Sequence, residues 1–253
     1  MLDFNQNINV LSNKKTTGIA AGKAVEDCIV KLQKTKKKIR IIFAAAPSQD
    51  SMLDYLSQSK LIEWNKIEAF HMDEYIGLEP DSPQLFSSYL EKNIFSKVTL
   101  HKNTINVNND VAKEIKRYTH LLEEGPIDIV CLGIGENGHL AFNDPHVADF
   151  NDSEIVKMVD LDDACRIQQV NDGCFESFEK VPQKAITLTI PTLLKGTHLF
   201  CVVIGANKSD AVKNALTEPI NTSCPASILT KHPNCNYYFD KQAYKGVESL
   251  QNA

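Results

Sequence analysis

The sequence predicts an α/β protein in which helices flank a mostly parallel β-sheet. Segments with apolar residues at helical spacing alternate with short, β-branched apolar runs, which is the order of helices and strands in such folds. The strand-like runs are apolar at successive positions, as expected for strands that are buried on both faces. No internal repeat, low-complexity tract or Pro/Gly/Ser-rich linker divides the chain, so we expect a single domain over residues 1–253.

The first two elements show how each one is recognised. Val25, Ile29 and Leu32 recur at helical spacing and predict a helix over residues 15–33. The apolar run at 39–44 is short, β-branched and followed by a proline, which is typical of a buried strand. The same criteria predict the other elements, which are helices at 50–61, 84–94, 111–122 and 209–216 and strands at 67–71, 127–132, 185–189, 198–204 and 236–239.

The composition excludes several classes of protein. A chain of 253 residues with 43% hydrophobic and 23% charged residues is typical of a soluble globular protein and not of a disordered one. The formal net charge of −5 argues against a dedicated nucleic-acid-binding protein, and the basic run at 34–40 is expected to be a solvated connection. The apolar runs at 41–47 and 199–206 are far shorter than the roughly 20 residues that span a bilayer, so no membrane helix is expected.

The cysteines and the N-terminus indicate the cellular compartment. The seven cysteines are odd in number, have no C-x-x-C pair and partly lie in apolar runs, so we expect reduced thiols. The first seven residues have neither the basic nor the apolar region of a signal peptide. Together these features predict a cytoplasmic protein.

Polar and glycine-rich segments follow four of the predicted strands, at residues 44–49, 71–75, 133–139 and 205–208. In a parallel sheet these segments lie together at the carboxyl edge, which is where ligands bind. They supply two adjacent carboxyl groups, a histidine on a glycine-rich turn, a lysine at a helix start and several backbone N–H groups. This combination predicts acid–base chemistry on a small anionic substrate.

Asp73 and His139 are the candidate acid–base groups of these segments. Asp73 and Glu74 directly follow an apolar strand, and the alternative for this pair is a solvated turn or a helix cap. His139 follows three glycines, and a nearby carboxylate such as Asp144 could fix its tautomer and raise its basicity. Lys208 precedes a predicted helix, where a lysine either contacts a phosphate or is solvated.

Other types of site fit these residues less well. The glycines within 133–138 match the spacing of a dinucleotide-binding fingerprint, but a proline interrupts the helix that should follow. The chain has neither a P-loop nor a G-x-S-x-G elbow. A metal site formed by His71, Asp73 and His139 lacks a typical ligand spacing, so we expect neither a metal nor another cofactor.

Two longer motifs resemble those of one known family. Residues 70–78 read FHMDEYIGL and residues 132–145 read LGIGENGHLAFNDP. Both are similar, in this order, to motifs of the glucosamine-6-phosphate deaminase family, and the resemblance spans nearly the whole chain. It implies a Rossmann-like three-layer α/β fold, no metal, and conversion of glucosamine 6-phosphate and water to fructose 6-phosphate and ammonia.

The resemblance also implies roles for individual residues. Asp73 would be the base that moves a proton between C2 and C1 of the open-chain sugar through an enediol-type intermediate. His139 would open the pyranose ring, and Asn137 and Asp144 would orient and polarise that histidine. The substrate would contact a further set of residues, namely Ala45, Ala46, Ser48, Gln49, Glu74, Gly138, Arg166 and Lys208.

The chain departs from the family pattern in three places. Asp144 stands where family members usually carry Glu, so its carboxylate is one methylene shorter. The loop at 44–49 reads AAAPSQ, with fewer glycines and hydroxyl groups than the usual phosphate loop. The phosphate-binding arginine of the family falls near Asn171, which leaves Arg166 as the candidate replacement.

These departures leave other substrates and activities open. Galactosamine 6-phosphate or a non-amino sugar phosphate is compatible with Asp73 and His139. The 6-phosphogluconolactonases have a similar fold. That family resembles Asp-Glu-Arg at the carboxyl pair, where this chain has Tyr75 as the third residue. After the histidine it resembles Ser-Leu-Phe-Pro, where this chain has residues 142–145. A sugar-phosphate sensor would normally carry a helix-turn-helix domain, for which residues 1–14 are too short. Homo-oligomers occur in the similar family, so self-association is compatible with the resemblance.

Overall fold

The computed structural model describes residues 7–251, and within that range helices and strands alternate as predicted. The strands are β1 (Asn7–Leu11), β2 (Ile39–Phe43), β3 (Ile67–His71), β4 (Asp73–Ile76), β5 (His101–Asn103), β6 (Ile129–Leu132), β7 (Val156–Asp160), β8 (Lys184–Leu188), β9 (His198–Val203) and β10 (Cys235–Asp240). The helices are α1 (Lys14–Leu32), α2 (Asp50–Ser57), α3 (Phe86–Leu90), α4 (Val111–Glu123), α5 (Asp163–Asn171), α6 (Ile190–Leu194), α7 (Ser209–Thr217) and α8 (Lys241–Gln251).

Seven of the described strands form one parallel sheet in the order β1-β10-β9-β6-β2-β3-β5. Because successive strand residues point to opposite faces, Ile41 packs in one apolar core and Ile42 in the other. Helices α1 and α2 contribute to the core that holds Ile41, whereas α4, α7 and α8 contribute to the core that holds Ile42. The predicted three-layer α/β fold with a mostly parallel sheet is confirmed.

A second sheet, which the sequence analysis does not predict, has the order β4-β8-β7 and antiparallel pairing. The predicted strand at 185–189 corresponds to β8 and belongs to this second sheet. Its partner β4 begins at Asp73, two residues after β3 ends at His71. That polar segment reads as a loop in the sequence, but the chain passes there from one sheet to the other. Asp73 therefore lies at the junction of the two sheets.

The predicted elements agree with the structure to within a few residues, apart from two helix ends. The strand at Ile67–His71 has the predicted bounds. The helix predicted at 50–61 ends at Ser57, and the one predicted at 84–94 is divided into α3 and a π-helical turn at Glu91–Phe95. Two of the unpredicted elements have weak apolar patterns: β5 has only three residues, and β7 buries only Val156 and Val159.

Within residues 7–251, no helix is both long enough and apolar enough to cross a bilayer. All seven cysteines are free thiols, and five of them are buried, in agreement with the expected absence of disulfides. The signal-peptide prediction rests largely on residues 1–6, which lie outside the described part of the chain.

Candidate active site

The four strand ends that were predicted to share one edge of the sheet do share it. Strands β9, β6, β2 and β3 are neighbours in the parallel sheet, so the segments that follow them lie side by side at its carboxyl edge. A cavity of about 170 Å³ is located there. Six of the predicted site residues line it, namely Ala45, Ala46, Ser48, Asp73, His139 and Lys208.

Asp73 is the first residue of β4 and lines the cavity, although it is only 6% exposed. Burial raises the pKa of its carboxyl group well above the usual value, and the neighbouring Glu74 carboxylate raises it further. A carboxylate with a raised pKa is a stronger base than an ordinary aspartate. This is the property needed to remove a proton from carbon near neutral pH.

Glu74, predicted to contact the substrate, does not line the cavity. Successive residues of a strand point to opposite sides, so Glu74 and Asp73 have different surroundings. The Glu74 carboxylate accepts hydrogen bonds from the backbone N–H groups of Phe86 and Ser87, both at 2.9 Å. It thereby satisfies free N–H groups in the first turn of α3, which is close to the capping role that the sequence left open.

His139 lies on the glycine-rich turn after β6, and two polar side chains hold it in place. Its Nδ1 is 3.0 Å from Oδ1 of Asp144, which also accepts a hydrogen bond of 2.9 Å from the Asn137 amide. The side-chain oxygen Oδ1 of Asn137 accepts a hydrogen bond of 3.1 Å from the backbone N–H of His139. The missing methylene of Asp144 therefore does not prevent contact with His139. The three residues form the arrangement of a base and its orienting groups.

The Asp144 carboxylate also determines which nitrogen of His139 can react. Its full burial would raise its pKa, but contacts with His139 and Asn137 outweigh burial and hold the pKa below its usual value. An ionised Asp144 keeps a proton on Nδ1 of the histidine and leaves Nε2 as the proton acceptor. The Cys165 sulfur lies within 4.8 Å of a ring nitrogen of His139 and a carboxylate oxygen of Asp144. Such donors could hold a divalent cation, but His139 and Asn137 already engage the carboxylate.

Gly135 lets the His139 ring lie against the backbone of its turn. A Cβ atom at Gly135 would lie 2.2 Å from ring atoms Cε1 and Nε2. We expect Gly135→Ala to displace the ring from Asp144 and to lower kcat about a hundredfold, the cost of a displacement of about 1 Å in an ordered site. Gly125→Ala is the matched control, since its Cβ would have its nearest contact at 3.6 Å. Steady-state assays of the two variants check this, and equal kcat values would contradict it.

Gln49 and Gly138 were predicted to contact the substrate, but neither lines the cavity. Gln49 is fully buried, and its amide donates hydrogen bonds to Oγ of Ser48 at 2.9 Å and to the Val202 carbonyl oxygen at 3.4 Å. Gly138 has a φ of +84°, and a Cβ atom there would lie 2.6 Å from Sγ of Cys224. Both residues therefore shape the loops that carry Ser48 and His139.

Lys208 follows β9 and lines the cavity from a buried position, with 8% of its surface exposed. Within residues 7–251, its ammonium group has no hydrogen-bond partner, and the Glu136 carboxylate is 3.9 Å away. Burial lowers the pKa of this ammonium group, while the Asp172 and Glu136 carboxylates partly offset the effect. A buried ammonium with unused donors beside a cavity is suited to an anionic group of a substrate.

Helix α5 and the residue after it add cavity residues that the sequence analysis missed. Gln168, Gln169 and Asp172 line the cavity. Asn171, near which the family's phosphate-binding arginine is expected, is exposed and does not line it. The sequence holds no signal for these contacts, because they depend on where α5 ends relative to the strand edge.

Arg166, the predicted replacement for the missing arginine, does not line the cavity. Its guanidinium group stacks 3.8 Å above the Phe178 ring. Its Nη2 donates hydrogen bonds to the carbonyl oxygens of Phe178 and Val181, at 2.9 Å and 3.0 Å. These contacts fix the segment after α5, and among the described residues no arginine lines the cavity.

Comparison with known proteins assigns the chain to a family. The sequence profile of the family described as glucosamine-6-phosphate isomerases/6-phosphogluconolactonase matches residues 12–237. The chain belongs to this family. A glucosamine-6-phosphate deaminase of Clostridium botulinum (strain Langeland) is 34% identical over 191 residues, which cover 74% of this chain and 76% of that protein. Glucosamine-6-phosphate deaminase 1 of Giardia intestinalis is 32% identical over 203 residues, covering 77% and 73%.

Solved structures agree with this assignment. A monomeric glucosamine-6-phosphate deaminase has a TM-score of 0.86 and 27% identity, covering 95% of this chain and 100% of that one. A 6-phosphogluconolactonase of Thermotoga maritima has a TM-score of 0.77 and 19% identity, covering 93% and 100%. The second likeness shows a shared fold alone. The predicted resemblance to glucosamine-6-phosphate deaminases is confirmed, and with it the prediction that the chain is an enzyme of this kind.

Proposed function

We propose that the protein is an amino sugar phosphate deaminase that converts glucosamine 6-phosphate and water to fructose 6-phosphate and ammonia. The observation that carries this proposal is the presence, in one cavity, of Asp73 with its raised pKa and of His139 oriented by Asp144. The names of curated relatives at 31% to 34% identity support it. Galactosamine 6-phosphate and non-amino sugar phosphates are alternative substrates for the same proton transfers.

In the proposed reaction, His139 and Asp73 act in turn. Nε2 of His139 takes the proton of the anomeric hydroxyl and delivers it to the ring oxygen, which opens the pyranose. Asp73 then removes the proton from C2 and returns it to C1, while a proton passes from the nitrogen to O1, through an enediol-type intermediate that carries nitrogen at C2. The resulting C2 imine is hydrolysed by one water molecule, which supplies the keto oxygen and releases the nitrogen as ammonia. His139 and Asp73 end the cycle in their starting protonation states.

Two groups of the cavity are proposed to contact the phosphate. The Lys208 ammonium has unused donors, and the Ser48 hydroxyl lies in the loop after β2. Ala45 and Ala46 line the same wall and leave room for the ligand. Together they form a smaller set of charged contacts than a lysine and an arginine would provide.

Lactone hydrolysis is the second candidate function, favoured by the structural likeness to 6-phosphogluconolactonases. In that reaction His139 would activate a water molecule for attack on the ester carbonyl. Asp73 would have no carbon-bound proton to transfer, so its burial and raised pKa would serve no purpose in the chemistry. The third candidate function is that of a sugar-phosphate sensor, in which neither Asp73 nor His139 would have to react.

A comparison of substrates separates these functions. Purified protein is incubated with glucosamine 6-phosphate, galactosamine 6-phosphate and 6-phosphogluconolactone, and the release of ammonia, ketose phosphate and acid is followed. We expect ammonia and fructose 6-phosphate from glucosamine 6-phosphate, and neither product from Asp73→Asn. Acid release from the lactone alone would favour the lactonase, and binding of sugar phosphates without turnover would favour the sensor.

The cellular context of the protein is also proposed on the sequence. We infer a single domain over residues 1–253, a cytoplasmic location, a small-molecule sugar phosphate as partner and no nucleic-acid partner. Self-association stays a prediction of the resemblance.

A further inference from the structure

The wall of the cavity carries both ammonium and carboxylate groups. Lys14 also lines the cavity, but its ammonium pairs with the Asp50 carboxylate at 2.9 Å. Lys208 is the buried lining cation, and its ammonium has no hydrogen-bond partner within residues 7–251. The Glu136 carboxylate lies 3.9 Å from it without lining the cavity, whereas Asp172 lines the cavity itself.

Hydrogen bonds connect Glu136 and Asp172 through the Gln168 side chain. The Gln168 side chain accepts a hydrogen bond of 2.7 Å from the backbone N–H of Glu136 and donates one of 3.3 Å to Asp172. Asn207, next to Lys208 in the chain, donates a hydrogen bond of 2.6 Å to Glu136. The Asp172 carboxylate is thus held on the cavity wall through the turn that also carries His139.

A sugar 6-phosphate carries about −1.5 to −2 charges near pH 7. In this cavity it would meet the buried Lys208 ammonium and the Asp172 carboxylate, with the Glu136 carboxylate 3.9 Å from Lys208. Repulsion between like charges in a partly desolvated site is stronger than in bulk water, so these carboxylates oppose the attraction to Lys208. Burial lowers the pKa of Lys208, and the Asp172 and Glu136 carboxylates partly offset that effect, in agreement with their position near its ammonium group.

We propose that Asp172 is a specificity-determining residue: its carboxylate weakens binding of the 6-phosphate, so the enzyme also accepts amino sugars whose C6 group is uncharged. The inference rests on the proposed deaminase function. The hydroxyl group of an unphosphorylated sugar can donate a hydrogen bond to Asp172 or to the Gln168 and Gln169 side-chain oxygens, whereas a phosphate dianion has no donor. Asp172 therefore strengthens the binding of unphosphorylated amino sugars and weakens the binding of sugar 6-phosphates.

The test is the Asp172→Asn variant, which keeps the size of the side chain and its acceptor for Gln168. We expect its KM for glucosamine 6-phosphate to fall about tenfold at low ionic strength, with a much smaller change in kcat and no fall in KM for glucosamine. The effect should shrink as salt is added, because it is electrostatic. Asp163→Asn is the matched control, since it removes the same charge from an exposed position on α5.

A binding measurement keeps the inference separate from the proposed function. The Kd of fructose 6-phosphate is measured by calorimetry for the wild type and both variants. A fall of about tenfold in Asp172→Asn but not in Asp163→Asn supports the inference that the Asp172 carboxylate weakens phosphate binding, even if no amino sugar is turned over and the deaminase proposal fails. An unchanged Kd in Asp172→Asn, equal changes in both variants, or no binding by any of the three proteins would overturn it.

Discussion

Asp73→Asn is expected to lower kcat with glucosamine 6-phosphate about a thousandfold, since a positioned general base contributes roughly 10²–10⁴ to rate. Asparagine keeps the shape of the side chain but cannot take the proton from C2. The wild-type rate should rise with pH as Asp73 ionises, at a pH above the usual range for aspartate, because burial raises its pKa. The exposed Asp54 on α2 supplies the control variant Asp54→Asn, for which we expect unchanged kinetics.

The same variant should be more stable than the wild type. Because the pKa of Asp73 is raised in the folded state, ionising it costs stability, and that cost grows as pH rises from the unfolded-state pKa through the folded-state pKa. Asn carries no charge, so Asp73→Asn should raise Tm at about pH 7.5 and much less at about pH 4. Thermal unfolding at the two pH values checks this. A lower Tm at the higher pH would show that the buried carboxylate is stabilised in a way this account lacks.

Asp144→Asn is expected to lower kcat about a hundredfold, the usual cost of removing the group that orients a histidine. An asparagine amide can donate to Nδ1 of His139, which moves the imidazole proton to Nε2 and removes the acceptor. Asp144 is a positioning residue, so the Kd of fructose 6-phosphate should change far less than kcat. Calorimetry and steady-state kinetics on one preparation measure both quantities, and the exposed Asp160 provides the control Asp160→Asn.

The stability effect of Asp144→Asn should have the opposite sign to that of Asp73→Asn. Contacts with His139 and Asn137 hold the pKa of Asp144 below its usual value, so its ionised form stabilises the fold above the unfolded-state pKa. That contribution is lost as pH falls through the folded-state pKa. Asp144→Asn should therefore lower Tm at about pH 7.5, with a smaller difference in acid. Tm changes of the same sign in the two variants would contradict the assigned electrostatic roles.

The central strands and the sheet edge could be predicted because their signals are local. The run at Ile67–His71 is apolar throughout and gives the bounds of β3, and parallel order alone brings four strand ends together. Asp73, His139 and Lys208 were found in this way. The second sheet was not, because β4 is only four residues long and follows β3 after a single residue.

Which of the predicted side chains line the cavity depends on strand and helix geometry that the order of residues in the sequence does not reveal. Glu74 was grouped with Asp73, but neighbouring residues of a strand face opposite sides, and β4 was not recognised as a strand. Arg166 carries the right charge for a phosphate, yet its Nη2 donates to carbonyl oxygens in the segment after α5 and the residue does not line the cavity. Asp172 was overlooked because its position in the cavity depends on the end of α5.

The cavity containing Asp73 and His139 is proposed to deaminate an amino sugar phosphate. The most direct test is to follow glucosamine 6-phosphate, fructose 6-phosphate and ammonium by NMR in one sample of the wild-type protein. We expect the sugar to disappear while fructose 6-phosphate and ammonium appear in equal amounts. A ketose phosphate without ammonium, or no loss of glucosamine 6-phosphate while 6-phosphogluconolactone is hydrolysed, would contradict the account.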